Sequence, residues 1–265
     1  MNRNEQRPQD QATHGTPQHP LGRPDDDRAR LLRLPQIRHW IMVPALLSVL
    51  IIALGLTAKT IPGITSGELA VDQDLSRHHD GFLNVLGLAI NTILGPAIGV
   101  AIVAAVFLFL LLVRRSPVNA TAVAAVAAVG WLSSQVFKVI VARQRPNPAA
   151  LFDPLAPETG SNSFPSGHTC LATALVIAFW FLARNTRWEK PVAILGAVFA
   201  LGVGLSRLYV GVHYPSDILA SFLVPCAAIL FFTGLWNRYA AAVLPRIPLL
   251  SRFGPVPAAG AVPAK

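Results

Sequence analysis

The sequence predicts an all-α, polytopic membrane bundle of six transmembrane helices, with an additional short helix before the second span. Three observations carry that prediction. Hydrophobic residues make up 53% of the 265 residues and charged residues only 13%, against about 25% charged in soluble domains. The mean hydropathy is +0.50. The charges are also segregated, leaving uncharged runs at 41–58, 81–113, 116–137, 169–183, 191–206 and 218–237, where a span needs roughly 20 apolar residues.

Residues 1–38 hold five prolines, seven arginines and five acids with almost no apolar clustering. Such a composition cannot offset its own ordering entropy, so 1–38 is expected to be a disordered cytoplasmic tail. The first span runs from Ile41 to Ala58. It is longer than a signal-peptide core, and Leu56-Thr57-Ala58 is a poor cleavage site, so it reads as an uncleaved anchor. Residues 59–80 are polar and read as an outer loop. The stretch from Gly81 to Val113 is too long for one perpendicular helix and too short for two. Gly95-Pro96 divides it into a short helix over 81–94 and a second span over 96–113. Four further spans complete a membrane domain over 39–237. The remainder, 238–265, carries four basic residues, no acid and five prolines, and reads as a flexible cytoplasmic tail.

Other conspicuous residues read as structural. The small-residue run Ala120–Ala128 suits close helix packing. Trp40, Trp188 and Trp236 fall near predicted inner boundaries, where aromatic belts occur. His78, His79 and Asp80 read as a solvated interfacial cluster. Cys170 and Cys226 lie at different predicted depths and are not expected to pair.

The formal charge of +9 and the isoelectric point near 10.5 would raise nucleic acid as a partner if the charge formed a patch. It does not. With the N-terminus cytoplasmic, 16 of the 22 Lys and Arg and six of the 13 acids fall in inner segments, a net +10. The outer cations are Lys59, Arg77, Lys138, Arg143, Arg145 and Arg207, against seven acids, a net −1. This is the positive-inside asymmetry of a membrane protein with both termini in the cytoplasm, and no nucleic-acid partner is expected.

Three segments on the predicted outer face carry chemistry. The first is Lys138-x6-Arg145-Pro146. Seven residues are about two helical turns, so both side chains leave one face with Cα atoms about 10 Å apart. Pro146 disfavours helix at Arg145, which can then turn inward. Taken alone, this segment reads better as cations snorkelling at a helix end. The second is Pro165-Ser166-Gly167-His168, a helix start whose free N–H groups and dipole suit an anion. His168 can exchange a proton near neutrality. An ordinary cap at Ser166 explains that segment equally well. The third is Ser206-Arg207-x5-His213-x3-Asp217. Pro215 puts His213 just before a helix and Asp217 in its first turn, where a carboxylate can fix the tautomer of the ring. A cap with an ion pair would account for Asp217 but leaves Arg207 at the membrane edge unexplained.

Together the segments set two histidines, three cations and one carboxylate on one membrane face. They resemble the three-part signature of the type 2 phosphatidic acid phosphatase superfamily, Lys-x6-Arg-Pro, Pro-Ser-Gly-His and Ser-Arg-x5-His-x3-Asp, with every position present. The resemblance covers roughly residues 41–237. It implies a hydrolase of lipid phosphates acting at the extracytoplasmic face through a phosphohistidine. His213 would be the nucleophile, Asp217 would hold its other nitrogen, and His168 would protonate the leaving group and then activate water. Lys138, Arg145, Arg207 and the amides near Ser166 and Gly167 would hold the phosphate.

Phosphoryl transfer needs such a nucleophile, proton donor and fixed positive charge. The scheme calls for no metal and no cofactor, since three nearby cations repel a divalent ion. A phosphate site on helix ends favours an amphiphile whose chains remain in the bilayer. Polyprenyl diphosphate, phosphatidic acid and phosphatidylglycerophosphate all fit, and the family analogy leans to polyprenyl diphosphate or a broad lipid phosphate specificity. Two other readings remain. Six spans argue against the soluble vanadate-dependent haloperoxidases of the same superfamily. The presence of both His168 and His213 argues against a non-enzymatic lipid phosphate transporter or binding protein.

Overall fold

The computed structural model describes residues 27–256. The outer parts of both predicted tails, 1–26 and 257–265, lie outside the described residues. All regular elements among the described residues are helical. The chain runs through α1 (Met42–Thr60), α2 (Pro62–Arg77), α3 (Gly81–Ile93) and α4 (Pro96–Leu108), the last continued by a π-helical turn over Phe109–Val113. It then forms α5 (Pro117–Val141), α6 (Gly167–Ala183), α7 (Glu189–Tyr209), α8 (Pro215–Val243) and the short α9 (Pro248–Ser251). Proline opens α2, α4, α5 and α8, where its fixed φ and missing N–H cost nothing. Asp80 caps α3 by accepting from the N–H groups of Phe82 and Leu83, as a short polar side chain at that position should.

Among the described residues, five helices are long and apolar enough to cross a membrane: α1, α4 with its extension, α5, α7 and α8. Exposed Leu46, Leu50, Val139, Leu195 and Val198 on α1, α5 and α7 fit a multi-pass membrane protein, in which lipid replaces water around the bundle. The sequence reading counted six spans. Its fourth corresponds to α6, which has 17 residues and falls short of that length, as α3 does with 13. α6 is the central helix, packed against α5, α7 and α8. A Cβ at Gly130 on α5 would lie 2.7 Å from the Cβ of Ala174 on α6, so the two backbones touch where the small residues predict close approach.

The structure moves both tail boundaries. In residues 27–38, Leu31, Leu32 and Leu34 are buried in the core. The Leu31 N–H donates to Asn119 Oδ1 at 2.9 Å, Trp236 Nε1 donates to the Leu31 carbonyl at 2.9 Å, and Leu34 is held on both backbone atoms by Asn237. Three leucines in four positions are enough to tie this turn down, and composition averaged over 38 residues hides them. Trp236 is thereby a core anchor, whereas Trp188 stays exposed. At the other boundary α8 continues past 237 to Val243, and Leu244 and Leu250 are buried.

The predicted outer loop 59–80 is largely helix α2. Its inward face is polar, with Asp72 and Ser76 buried, while apolar Ile64 and Val71 are among its exposed residues. An apolar-stripe reading misses a helix with that inverted pattern. His79 is likewise no solvated residue. It bonds Asp153 Oδ2 at 2.8 Å and the Tyr209 carbonyl at 2.9 Å, and its ring lies 4.6 Å from that of Tyr209.

These contacts define two ends of the bundle. One gathers residues 59–80, 142–166 and 209–214, joined by Lys59 to the Val141 carbonyl, Gln73 to the Ala150 carbonyl and Arg145 to the Val212 carbonyl. The other gathers 27–38, 114–119 and 236–254.

Candidate active site

The end of α5 sets the first part of the site. The helix stops at Val141, and Ala142 takes a left-handed φ of 46°, a conformation that turns a chain sharply. Residues 143–145 then run extended beside 160–163, with Arg145 N–H donating to the Gly160 carbonyl at 3.0 Å and Ser163 N–H to the Arg143 carbonyl at 3.1 Å. Lys138 and Arg145 therefore do not share a helix face, as their spacing had suggested. They converge from a helix and a strand-like segment on one residue: Lys138 Nζ donates to the Asn162 carbonyl, and Arg145 Nε donates to Asn162 Oδ1 at 2.9 Å. Arg145 also pairs with Glu158 at 2.9 Å. Burial pulls the Arg145 guanidinium below its ordinary range, opposed by Glu158 and then Asp217.

The α7–α8 corner supplies the second part. Pro215 opens α8, and Asp217 accepts the Tyr214 N–H at 3.0 Å, the predicted placement of His213 before the helix and Asp217 in its first turn. His213 is 1% exposed. Its Nε2 lies 3.4 Å from Arg145 Nη1. Its Nδ1 lies 3.5 Å from Ser163 Oγ and 3.7 Å from Asp217 Oδ2, the latter too long for a hydrogen bond. Ser163 Oγ instead donates to Asp217 Oδ2 at 2.5 Å. Asp217 Oδ1 takes Arg143 Nη1 at 2.7 Å. Burial pushes the His213 imidazole down to about 3, against the raising influence of Asp217, so the ring is neutral.

His168 and Arg207 meet on α3. His168 Nε2 lies 3.0 Å from the Asn91 carbonyl, while Arg207, fully buried, donates to Asn91 Oδ1 at 2.5 Å and to the Gly87 carbonyl at 2.9 Å. The short helix before the second span is thus a wall of the site. Ser166 caps α6, but its own N–H donates to Ser221 Oγ at 2.7 Å, and that hydroxyl donates to the Asp217 carbonyl. The Ser166 amide is therefore committed, contrary to its expected availability for phosphate. Gly167 differs: a Cβ built there meets nothing within 4 Å, which leaves open space at the first turn of α6.

Sequence reasoning missed Asn91, Arg143, Glu158, Asn162, Ser163 and Glu68, which accepts from Arg143 Nη2 at 2.6 Å. Two signals were available. Asn91 is a polar side chain in a charge-free apolar run, where polar groups mark sites. Asn162 and Ser163 lie three and two residues before Pro165-Ser166-Gly167-His168, with Phe164 between. Among the described residues no group of three or more His, Cys, Asp or Glu could hold a metal ion.

Comparison with known proteins follows the same residues. Residues 118–240 match the model of the PAP2 superfamily. The chain is 33% identical over 124 residues to undecaprenyl-diphosphatase BcrC of Bacillus subtilis (strain 168), covering 47% of this chain and 59% of that protein. It is 39% identical over 107 residues to phosphatidylglycerophosphatase B of the same organism, covering 38% and 49%. The chain thus spans about half the length of these curated relatives. Its fold matches the crystal structure of a transmembrane PAP2-type phosphatidylglycerolphosphate phosphatase from Bacillus subtilis with a TM-score of 0.58 at 26% identity, over 76% of this chain and 96% of that one. All three signature segments lie within the matched residues 118–240.

Proposed function

We propose that this protein is a membrane phosphatase that hydrolyses lipid phosphates at the extracytoplasmic face through a phosphohistidine on His213. One observation carries the reading: the buried imidazole turns Nε2 toward Arg145 and Nδ1 toward Ser163 and Asp217. A proton on Nδ1 faces the acceptors, so the lone pair on Nε2 faces the cations where a phosphate would be held.

In the first step Nε2 attacks phosphorus and the bond to the leaving oxygen breaks. His168 donates a proton to that oxygen, and Asp217 stabilises the positive charge on His213. In the second step His168 takes a proton from water, the hydroxide attacks phosphorus, and the P–N bond breaks to release phosphate and neutral His213. Lys138, Arg145 and Arg207, with the open first turn at Gly167, would hold the nonbridging oxygens. In the resting site these cations are engaged by Asn162, Glu158 and Asn91, so phosphate binds by exchanging with protein acceptors.

The substrate classes are polyprenyl diphosphate, phosphatidic acid and phosphatidylglycerophosphate. The names of the two relatives, an undecaprenyl-diphosphatase and a phosphatidylglycerophosphatase, support the first and third. The test is release of inorganic phosphate from each of the three by purified protein with chelator present. Release from at least one is expected, and release from none overturns the reading.

A further inference from the structure

Asp217 is held from behind by Arg143, which occupies an unspecified position of the first signature segment. The Arg143 guanidinium is 2% exposed and bridges two carboxylates, Asp217 Oδ1 at 2.7 Å through Nη1 and Glu68 Oε2 at 2.6 Å through Nη2. Its carbon lies 4.1 Å from the centre of the Tyr214 ring, which fixes the plane of the fork. Glu68 is in turn anchored to the first turn of α8. Its Oε1 accepts the Ser216 N–H at 2.7 Å, and its Oε2 accepts Ser216 Oγ–H at 3.1 Å. Glu68 lies on α2, outside the matched residues 118–240.

We propose that Glu68 and Arg143 are positioning residues that lock the Asp217 carboxylate, and through it the Ser163 hydroxyl that faces His213 Nδ1, so that one tautomer of His213 is held and α2 is part of the working site. The proposal rests on the phosphatase reading. Arg143 is shared between two anions, so it orients Asp217 without neutralising it. A planar fork with two donor edges is suited to this geometry, and a lysine is not.

The groups facing Asp217 are Glu68 and Asp72 from α2, Arg143 and Ser163 from the loop after α5, and His213 and Tyr214 from the α7–α8 corner. Glu68→Gln keeps the shape and the acceptor for Ser216 but removes one negative charge. Arg143 then pairs with Asp217 alone, and the imidazolium of His213 loses support.

The test compares purified Glu68→Gln and Arg143→Lys with wild type on polyprenyl diphosphate and phosphatidylglycerophosphate in mixed micelles. Expected for both is a kcat about tenfold lower with unchanged KM, the lower end of what supporting partners of a reacting site carry. For Glu68→Gln the acid limb of kcat/KM should move to lower pH, because the Asp217–Arg143–Glu68 chain behind His213 loses one negative charge. Glu68→Asp, which restores the charge, should return the limb toward its wild-type position. Histidine 15N spectra supply a readout without turnover, with one His213 tautomer in wild type and a mixture in Glu68→Gln. Wild-type kcat and an unmoved limb in Glu68→Gln overturn the proposal, as does a loss of activity that only tracks a lower melting temperature. An inactive wild type overturns the phosphatase reading instead, and the tautomer spectra then decide the positioning role by themselves.

Discussion

His213 and His168 carry identical rings in different surroundings, and the roles proposed for them separate for that reason. His213 is enclosed, with one nitrogen toward Arg145 and the other toward Ser163 and Asp217. His168 is only half-buried and bonds a carbonyl on α3. Replacing the proposed nucleophile would remove the reaction path itself, so His213→Ala is expected to abolish phosphate release while leaving the thermal melt in detergent close to wild type. Turnover above a few per cent would contradict a phosphohistidine. An acid matters in proportion to the basicity of the leaving oxygen. His168→Ala should therefore slow hydrolysis of an alkyl phosphate by about 10²–10⁴-fold and of an aryl phosphate, whose phenolate leaves unaided, by much less. Equal losses on both would remove His168 from the acid role.

Among elements, α2 and α3 divide what the sequence reveals from what it hides. Lys138, Arg145, His168, Arg207, His213 and Asp217 were legible because titratable groups beside apolar runs are costly and stand out. Asn91 on α3 was readable by the same logic but carries no charge to draw attention. α2 was hidden because Glu68, Asp72 and Ser76 recur every four residues on a polar face that points inward, and periodicity methods look for the reverse. Asp72 shows what that inversion costs. It is fully buried, neither carboxylate oxygen has a hydrogen-bond partner, and burial, with Asp217 and Glu68 adding to it, pushes its pKa up to about 8 from 3.8. The folded state thus holds the proton more tightly than the unfolded chain does. Stability tied to Asp72 is fully present below about pH 4 and is lost as pH rises through about 8. Asp72→Asn imitates the protonated form and should raise the melting temperature in detergent at pH 9, by a free energy on the order of a few kcal/mol, with little change near pH 4. A gain that is the same at both pH values would show that charge on Asp72 is not its source.

At the scale of the whole molecule the +9 charge becomes a difference between two ends. The end that holds the site carries six cations and seven acids, and its cations are largely spent on Lys138, Arg143, Arg145 and Arg207 within or behind the site. The other end, among the described residues, carries 12 cations and two acids. Loops rich in Lys and Arg remain on the cytoplasmic side of a membrane, so the site end should face outward and the termini inward. Two exposed positions report on this, Ser161 beside the site and Arg187 between α6 and α7. The native Cys170 is buried and Cys226 half-buried, so an engineered cysteine should dominate labelling by an impermeant thiol reagent. Ser161→Cys is expected to label in intact cells, and Arg187→Cys only after permeabilisation. The opposite pattern would put the site in the cytoplasm, and the proposed substrates would then be lipid phosphates of the inner leaflet.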